Sequence, residues 1–158
     1  MPHQQRPAKA SIVSGYFGPF HQGHLDLFEA AAARSGYLIV VVNNDKQQTL
    51  KKGRVIQAAE IRTRIVRALR VVDDAHIAVD DGPGIEGTLD LIRSKYPDTE
   101  LEFCNGGDRR DINEIPQEES AAAARNNITL LYGIGGTEKA DSSTRLLAEL
   151  DADSATSR

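Results

Sequence analysis

The chain has no tryptophan, one methionine and one cysteine among its 158 residues, and only 5% of it is aromatic. A lone thiol excludes an internal disulfide and a cysteine-rich metal site; Cys104 lies in the apolar run LEFC, which reads as a buried strand. A reducing, cytoplasmic setting is the expectation. Scarce aromatics and a net charge of -4 argue against a nucleic-acid surface and favour a small anionic ligand over a polymer. No apolar run approaches the length that spans a bilayer, so a membrane partner is not expected. The opening stretch MPHQQRPAKA carries basic residues without an apolar core, unlike a secretory signal. Residues 1–9 are expected to form a disordered leader, and the polar DADSATSR at 151–158 a flexible tail.

Short, β-branched apolar runs are present at 10–14, 37–42, 76–79, 101–104 and 128–132, and these read as strands. Helical spacing lies between them: Leu25, Phe28, Ala31 and Ala32; Ile61, Ile65, Ala68 and Leu69; Ile85, Leu89 and Ile92; and the alanine-rich stretch at 118–125. Strands that are apolar on both faces and alternate with amphipathic helices imply a parallel sheet covered on both sides. The expectation is one α/β domain over 10–150, a Rossmann-like doubly wound sandwich on a five-stranded parallel sheet.

In such sheets ligands bind beyond the carboxyl ends of the strands. GYFGPFHQGH follows the first strand, NNDKQQTLKKGR the second, NGGDRRD the fourth and GIGGTEKADSSTR the fifth, so glycine, lysine, arginine, histidine and hydroxyl residues gather on one rim. Gly15 permits a tight turn, Gly23 lets backbone approach a ligand, and a helix beginning near Gln22 aims its N-terminal dipole into the same space. His21 and His24, three apart, can present both imidazoles to one phosphate. A polar helix cap and a transition-metal pair are the alternatives for these histidines, and no metal ligands are assigned, since His3 and His76 are poor third partners. Ser142, Ser143 and Thr144 can cap a short helix and offer a second anion contact, with Arg145 adding charge.

These elements resemble the HxGH nucleotidylyltransferases, especially the cytidylyltransferase-like branch that includes glycerol-3-phosphate and phosphoethanolamine cytidylyltransferases and heptose-phosphate adenylyltransferase. The likeness runs over about residues 10–147: GYFGPFHQGH resembles GxFDxxHxGH, SSTR the ISST element, EIR the E-x-R helix, RVVDD the R-x-VD stretch and NGGDR the KGGDY loop. The resemblance implies transfer of a nucleoside monophosphate, CMP favoured over AMP, from CTP or ATP with Mg²⁺ to a small phosphorylated acceptor. It implies that His21 and His24 donate to triphosphate oxygens, that Lys51 or Lys52 reaches the phosphates from a mobile loop, and that Arg62 binds phosphate. Gly15, Tyr16, Phe17, Gly18 and Gly23 would line the turn, Gly106 and Asp108 the nucleoside pocket, and Ser142, Ser143, Thr144 and Arg145 the β and γ groups. A homodimer with residues 70–74 near its interface is implied as well.

Two departures stand out. Gly18 occupies the position of the usual Asp, and Asn105 and Arg109 replace the usual Lys or Met and the aromatic residue. Arg109 and Arg110 would suit a strongly anionic acceptor. A nucleotide-sensing module without turnover is the rival reading, whereas a dehydrogenase is disfavoured because no GxGxxG follows the first strand.

Overall fold

The computed structural model describes residues 6–106 and 117–135. Among these residues the chain runs β1 (Lys9–Gly15), α1 (Gln22–Ser35), β2 (Leu38–Val42), α2 (Asp45–Lys52), α3 (Ala59–Arg67), β3 (Asp74–Ile77), α4 (Glu86–Lys95), β4 (Glu100–Cys104), α5 (Gln117–Arg125) and β5 (Ile128–Leu131). The five strands form one sheet in the order β3-β2-β1-β4-β5, with every neighbouring pair parallel. This is the expected doubly wound α/β architecture.

β2 reads LIVVV, and all five of its residues are fully buried. The two-residue period of a strand splits them: Ile39 and Val41 join the core made with Leu89 and Ile92 of α4 and Ala122 and Ala123 of α5. Leu38, Val40 and Val42 join Phe28 and Ala31 of α1 and Val66 of α3. Two apolar faces on one strand therefore require two layers of helix. Cys104 lies in the second core, and burial pushes its thiol up to about 12, which makes it an inert packing group.

Four details differ from the expectation. Residues 43–52 contain α2 rather than a loop only. Its inward positions are Gln47 and Gln48, so hydropathy carries no helical period there. A reciprocal cap starts it: Asn44 Oδ1 accepts the Gln47 N–H at 2.8 Å, and Gln47 Oε1 accepts the Asn44 N–H at 3.0 Å. α3 presents the opposite face from the one its isoleucines suggest, for Ile61 and Ile65 are 51% and 40% exposed while Ala59, Arg62, Thr63 and Val66 point inward. β3 covers 74–77 instead of 76–79, with Val79 exposed beyond it. Asp74 can open this edge strand because its carboxylate receives the Tyr96 hydroxyl at 2.5 Å and Lys95 Nζ at 2.8 Å. Finally, residues 7–9 of the expected leader are tied to the sheet: Lys9 belongs to β1, Ala8 O accepts the Glu100 N–H at 2.8 Å, and Pro7 O accepts the Thr99 hydroxyl at 2.8 Å. The tail at 151–158 lies outside the described residues.

No helix among the described residues is long and apolar enough to cross a membrane.

Candidate active site

The strand order places the topological switch between β1 and β4, because the chain winds outward from β1 to β3 and then returns to β4 on the other side. The loops leaving those two strands flank the crevice. One is the turn from Gly15 to His24; the other begins at Asn105 and Gly106. Asn105 pins its own strand end, donating both its N–H (2.9 Å) and its side-chain amide (3.1 Å) to Leu131 O.

Packing shapes the first turn. Phe17 folds back on the strand with φ of 53°, a left-handed value that is uncommon for a side chain of this size. A Cβ at Gly15 would stand 2.8 Å from the Phe17 ring, so glycine is needed at the last position of β1. The reward is an aromatic box: Phe17 meets His24 edge-on at 5.1 Å between centroids and Phe28 edge-on at 5.1 Å, while Phe20 packs on both His24 and Phe28. His24 is thereby held from the side by apolar rings.

His21 is the N-cap of α1, and its Nδ1 accepts the Gly23 N–H at 3.1 Å. His24 Nδ1 in turn accepts the His21 N–H at 3.3 Å. The two rings stack, with centroids 3.7 Å apart and planes inclined by 23°. Capping and phosphate binding are therefore not alternatives here. With each Nδ1 engaged as an acceptor, each neutral imidazole carries its proton on Nε2. The cap sets the tautomer, and both imidazoles carry their proton on Nε2 at the positive end of a 14-residue helix. Gly23 serves through its N–H, which donates into this cap. No group of three or more His, Cys, Asp or Glu side chains suited to a metal occurs among the described residues.

Arg62 takes a different place from the one implied by resemblance. Its side chain has 0% exposure, and four protein acceptors hold it. Nε donates to Gln57 O at 2.7 Å, Nη1 to Tyr16 O at 2.9 Å and Asn43 O at 2.7 Å, and Nη2 to Asp45 Oδ1 at 3.2 Å. It thus ties the histidine turn, the end of β2 and the start of α2 together, as a positioning residue beneath the site. Its stem runs along Gly18, where a Cβ would lie 3.1 Å from Arg62 Cδ and 3.9 Å from Gln48 Nε2. The missing carboxylate at position 18 and the buried guanidinium stem belong to one packing arrangement.

Lys51 and Lys52 sit in the last turn of α2, not in a loop, with Nζ atoms 4.9 and 5.8 Å from the centroid of the Tyr16 ring. The Lys52 ammonium is held below its usual range, first by burial and then by the charges of Lys51 and Arg62. Histidine turn, lysines and Arg62 are therefore brought together by the fold. Gly106 follows β4 on the same rim. Asp108, Arg109, Arg110, Ser142, Ser143, Thr144 and Arg145 lie outside the described residues.

Several residues that organise this rim escaped the reading of the sequence. The Gln47 amide is fully engaged: Oε1 accepts from Asn43 Nδ2 and the Asn44 N–H, both at 3.0 Å, and Nε2 donates to Gly82 O and Gly84 O, both at 2.9 Å. It fastens the loop after β3 to α2. Asp80 in that loop takes the Gly87 N–H at 2.6 Å and the Thr88 N–H at 3.1 Å, which caps α4 from outside the helix. The three-residue interval between Asn44 and Gln47 was a legible capping signal; the reach from Asp80 to Thr88 was not, because it spans a loop.

Comparisons with known proteins show the family and the fold. The chain is 37% identical over 93 residues to the bifunctional protein HldE of Gluconobacter oxydans, covering 58% of this chain and 18% of that protein. It is 39% identical over 88 residues to the FAD synthase of Pyrococcus horikoshii, covering 55% of this chain and 57% of that protein. The chain thus spans less than two thirds of either relative. A lipopolysaccharide core biosynthesis protein from Thermoplasma volcanium shares the fold, with a TM-score of 0.60 at 21% identity, over 84% of this chain and 98% of that one. Residues 12–119, from the first buried strand through the histidine turn into α5, match the cytidylyltransferase-like family, and the chain belongs to it.

Proposed function

We propose that the protein is a nucleotidylyltransferase that uses ATP. A phosphate oxygen of a small acceptor attacks the α-phosphorus of the triphosphate, the bond from that phosphorus to the α,β-bridging oxygen breaks, and pyrophosphate leaves with its electron pair. Such a transfer needs alignment and neutralisation of charge moving onto the leaving group, and no covalent enzyme intermediate. The observation that carries this reading is the stacked histidine pair at the N-terminus of α1, where both Nδ1 atoms accept backbone N–H groups and the proton of each neutral imidazole is therefore on Nε2. Lys51 and Lys52 add charge beside it. Magnesium arrives with the triphosphate as part of the substrate, neutralising and orienting phosphoryl oxygens.

ATP rather than CTP is proposed because the Pyrococcus relative is named an FAD synthase, and FAD contains an adenylate. The likeness to the cytidylyltransferase branch favours CMP, but the NGGDR loop departs from that branch at Asn105 and Arg109. In this reading Gly106 and Asp108 line the nucleoside pocket, Ser142, Ser143, Thr144 and Arg145 hold the β and γ phosphates, and Arg109 and Arg110 face an anionic acceptor. A homodimer acting in the cytoplasm completes the proposal.

The test is a matrix of each NTP with Mg²⁺ against alcohol phosphates, sugar phosphates, phosphonates and mononucleotides, followed by pyrophosphate release. Release with ATP and one acceptor class is expected. Release with CTP alone would replace the donor, and tight nucleotide binding without release across the whole matrix would favour the sensing module that Gly18 motivates.

A further inference from the structure

We propose that Tyr16 is a positioning residue whose ring gathers the Lys51 and Lys52 ammonium groups at the mouth of the phosphate site before a triphosphate arrives. The proposal rests on the phosphate-binding part of the reading above, and nothing in the family motif requires an aromatic ring at this position.

Both ends of Tyr16 are fixed. Its carbonyl accepts Arg62 Nη1 at 2.9 Å, and its hydroxyl donates to Gln47 O at 3.3 Å. Gln47 stands one helical turn before Lys51, so a ring anchored at Gln47 lies along the flank of α2 from which Lys51 projects. The two Nζ atoms stand 4.9 and 5.8 Å from the ring centroid, inside the range of cation–π attraction. Two adjacent lysines otherwise repel, and burial first, then the charges of Lys51 and Arg62, depress the Lys52 ammonium. The negative face of the ring opposes that effect. It also restricts two long, flexible side chains, so less ordering remains to be done when phosphate oxygens bind. An ammonium has three N–H groups, and contact with a ring face leaves donors for phosphate.

Because Lys51 is exposed and Lys52 half-buried, the pair can turn toward a ligand without opening the core. The ring acts on affinity through the lysines. It is not itself a phosphate ligand.

The experiment places phenylalanine at position 16 of the full chain, then phenylalanines of increasing ring fluorination, which keep the shape while weakening the negative face. Each is titrated calorimetrically with Mg·ATP and with inorganic tripolyphosphate, alone and in a Lys51→Met/Lys52→Met background. Stepwise weakening is expected, reaching roughly three- to tenfold in Kd at the most fluorinated ring, and the dependence on fluorination should vanish without the lysines. Tyr16→Leu should weaken binding at least as much as the last step. A flat fluorination series overturns the proposal. So does a series that persists in the lysine-free background, since the ring would then touch the nucleotide directly. Tripolyphosphate keeps the outcomes separate: binding that follows the series without pyrophosphate release from ATP sinks the enzymatic reading and leaves Tyr16 its role. If neither ligand binds, both fall.

Discussion

His24→Ala is expected to lower kcat by about 10² or more, the usual consequence of removing a donor that acts in the transition state. The His24 ring does two things that alanine cannot: it presents Nε2–H, and it accepts the His21 N–H through Nδ1 at 3.3 Å. His24→Asn separates them, because its side-chain oxygen can take over the cap while its amide does not reach as far as Nε2. Both variants should therefore lose turnover, while the asparagine variant keeps more of the thermal stability. Steady-state pyrophosphate release and Tm measure the two effects. Near-normal kcat in either variant would remove His24 from the chemistry.

Arg62→Lys is expected to be costly in a different way. The guanidinium satisfies four acceptors in a buried fork, and a lysine has one nitrogen with which to meet them. The Arg62 bonds to the Tyr16 and Asn43 carbonyls would be lost, and each such loss costs about 1–3 kcal/mol. A total of roughly 2–4 kcal/mol is a large share of the stability of a domain this size. Since Tyr16 O is one of the anchors, kcat/KM should fall together with Tm, by about tenfold or more. Thermal unfolding read beside the activity assay distinguishes this latch from a direct phosphate contact. A variant with unchanged Tm and depressed activity would return Arg62 to the phosphate role implied by resemblance.

The sheet was legible because its strands are apolar on both faces, as LIVVV shows most simply, and only a doubly covered parallel sheet buries such a segment. The histidine turn was legible as a pattern of letters. Its working state was not: stacking of the rings and the engagement of both Nδ1 atoms depend on the helix start and on the box of Phe17, Phe20 and Phe28. α2 was missed where its buried positions are glutamines, whose burial depends on partners from Asn43 to Gly84 that no local window contains. α3 was turned the wrong way because its inward face carries Arg62, and an arginine goes inward only when a cage of acceptors awaits it. Local pattern found the elements with apolar cores; it failed where long-range polar bonding decides the face.

The close approach of Gly18 to Arg62 limits how the motif can be transplanted. Introducing Asp at position 18, the residue that relatives usually carry, would put a Cβ 3.1 Å from Arg62 Cδ, against a side chain that four bonds keep from moving aside. The familiar letter would arrive against a neighbour that must yield by a few tenths of an ångström while four bonds hold it, and activity should fall rather than rise. Positions 18 and 62 are thus coupled through packing in this chain: the latch that holds Arg62 also sets how much side chain position 18 can carry.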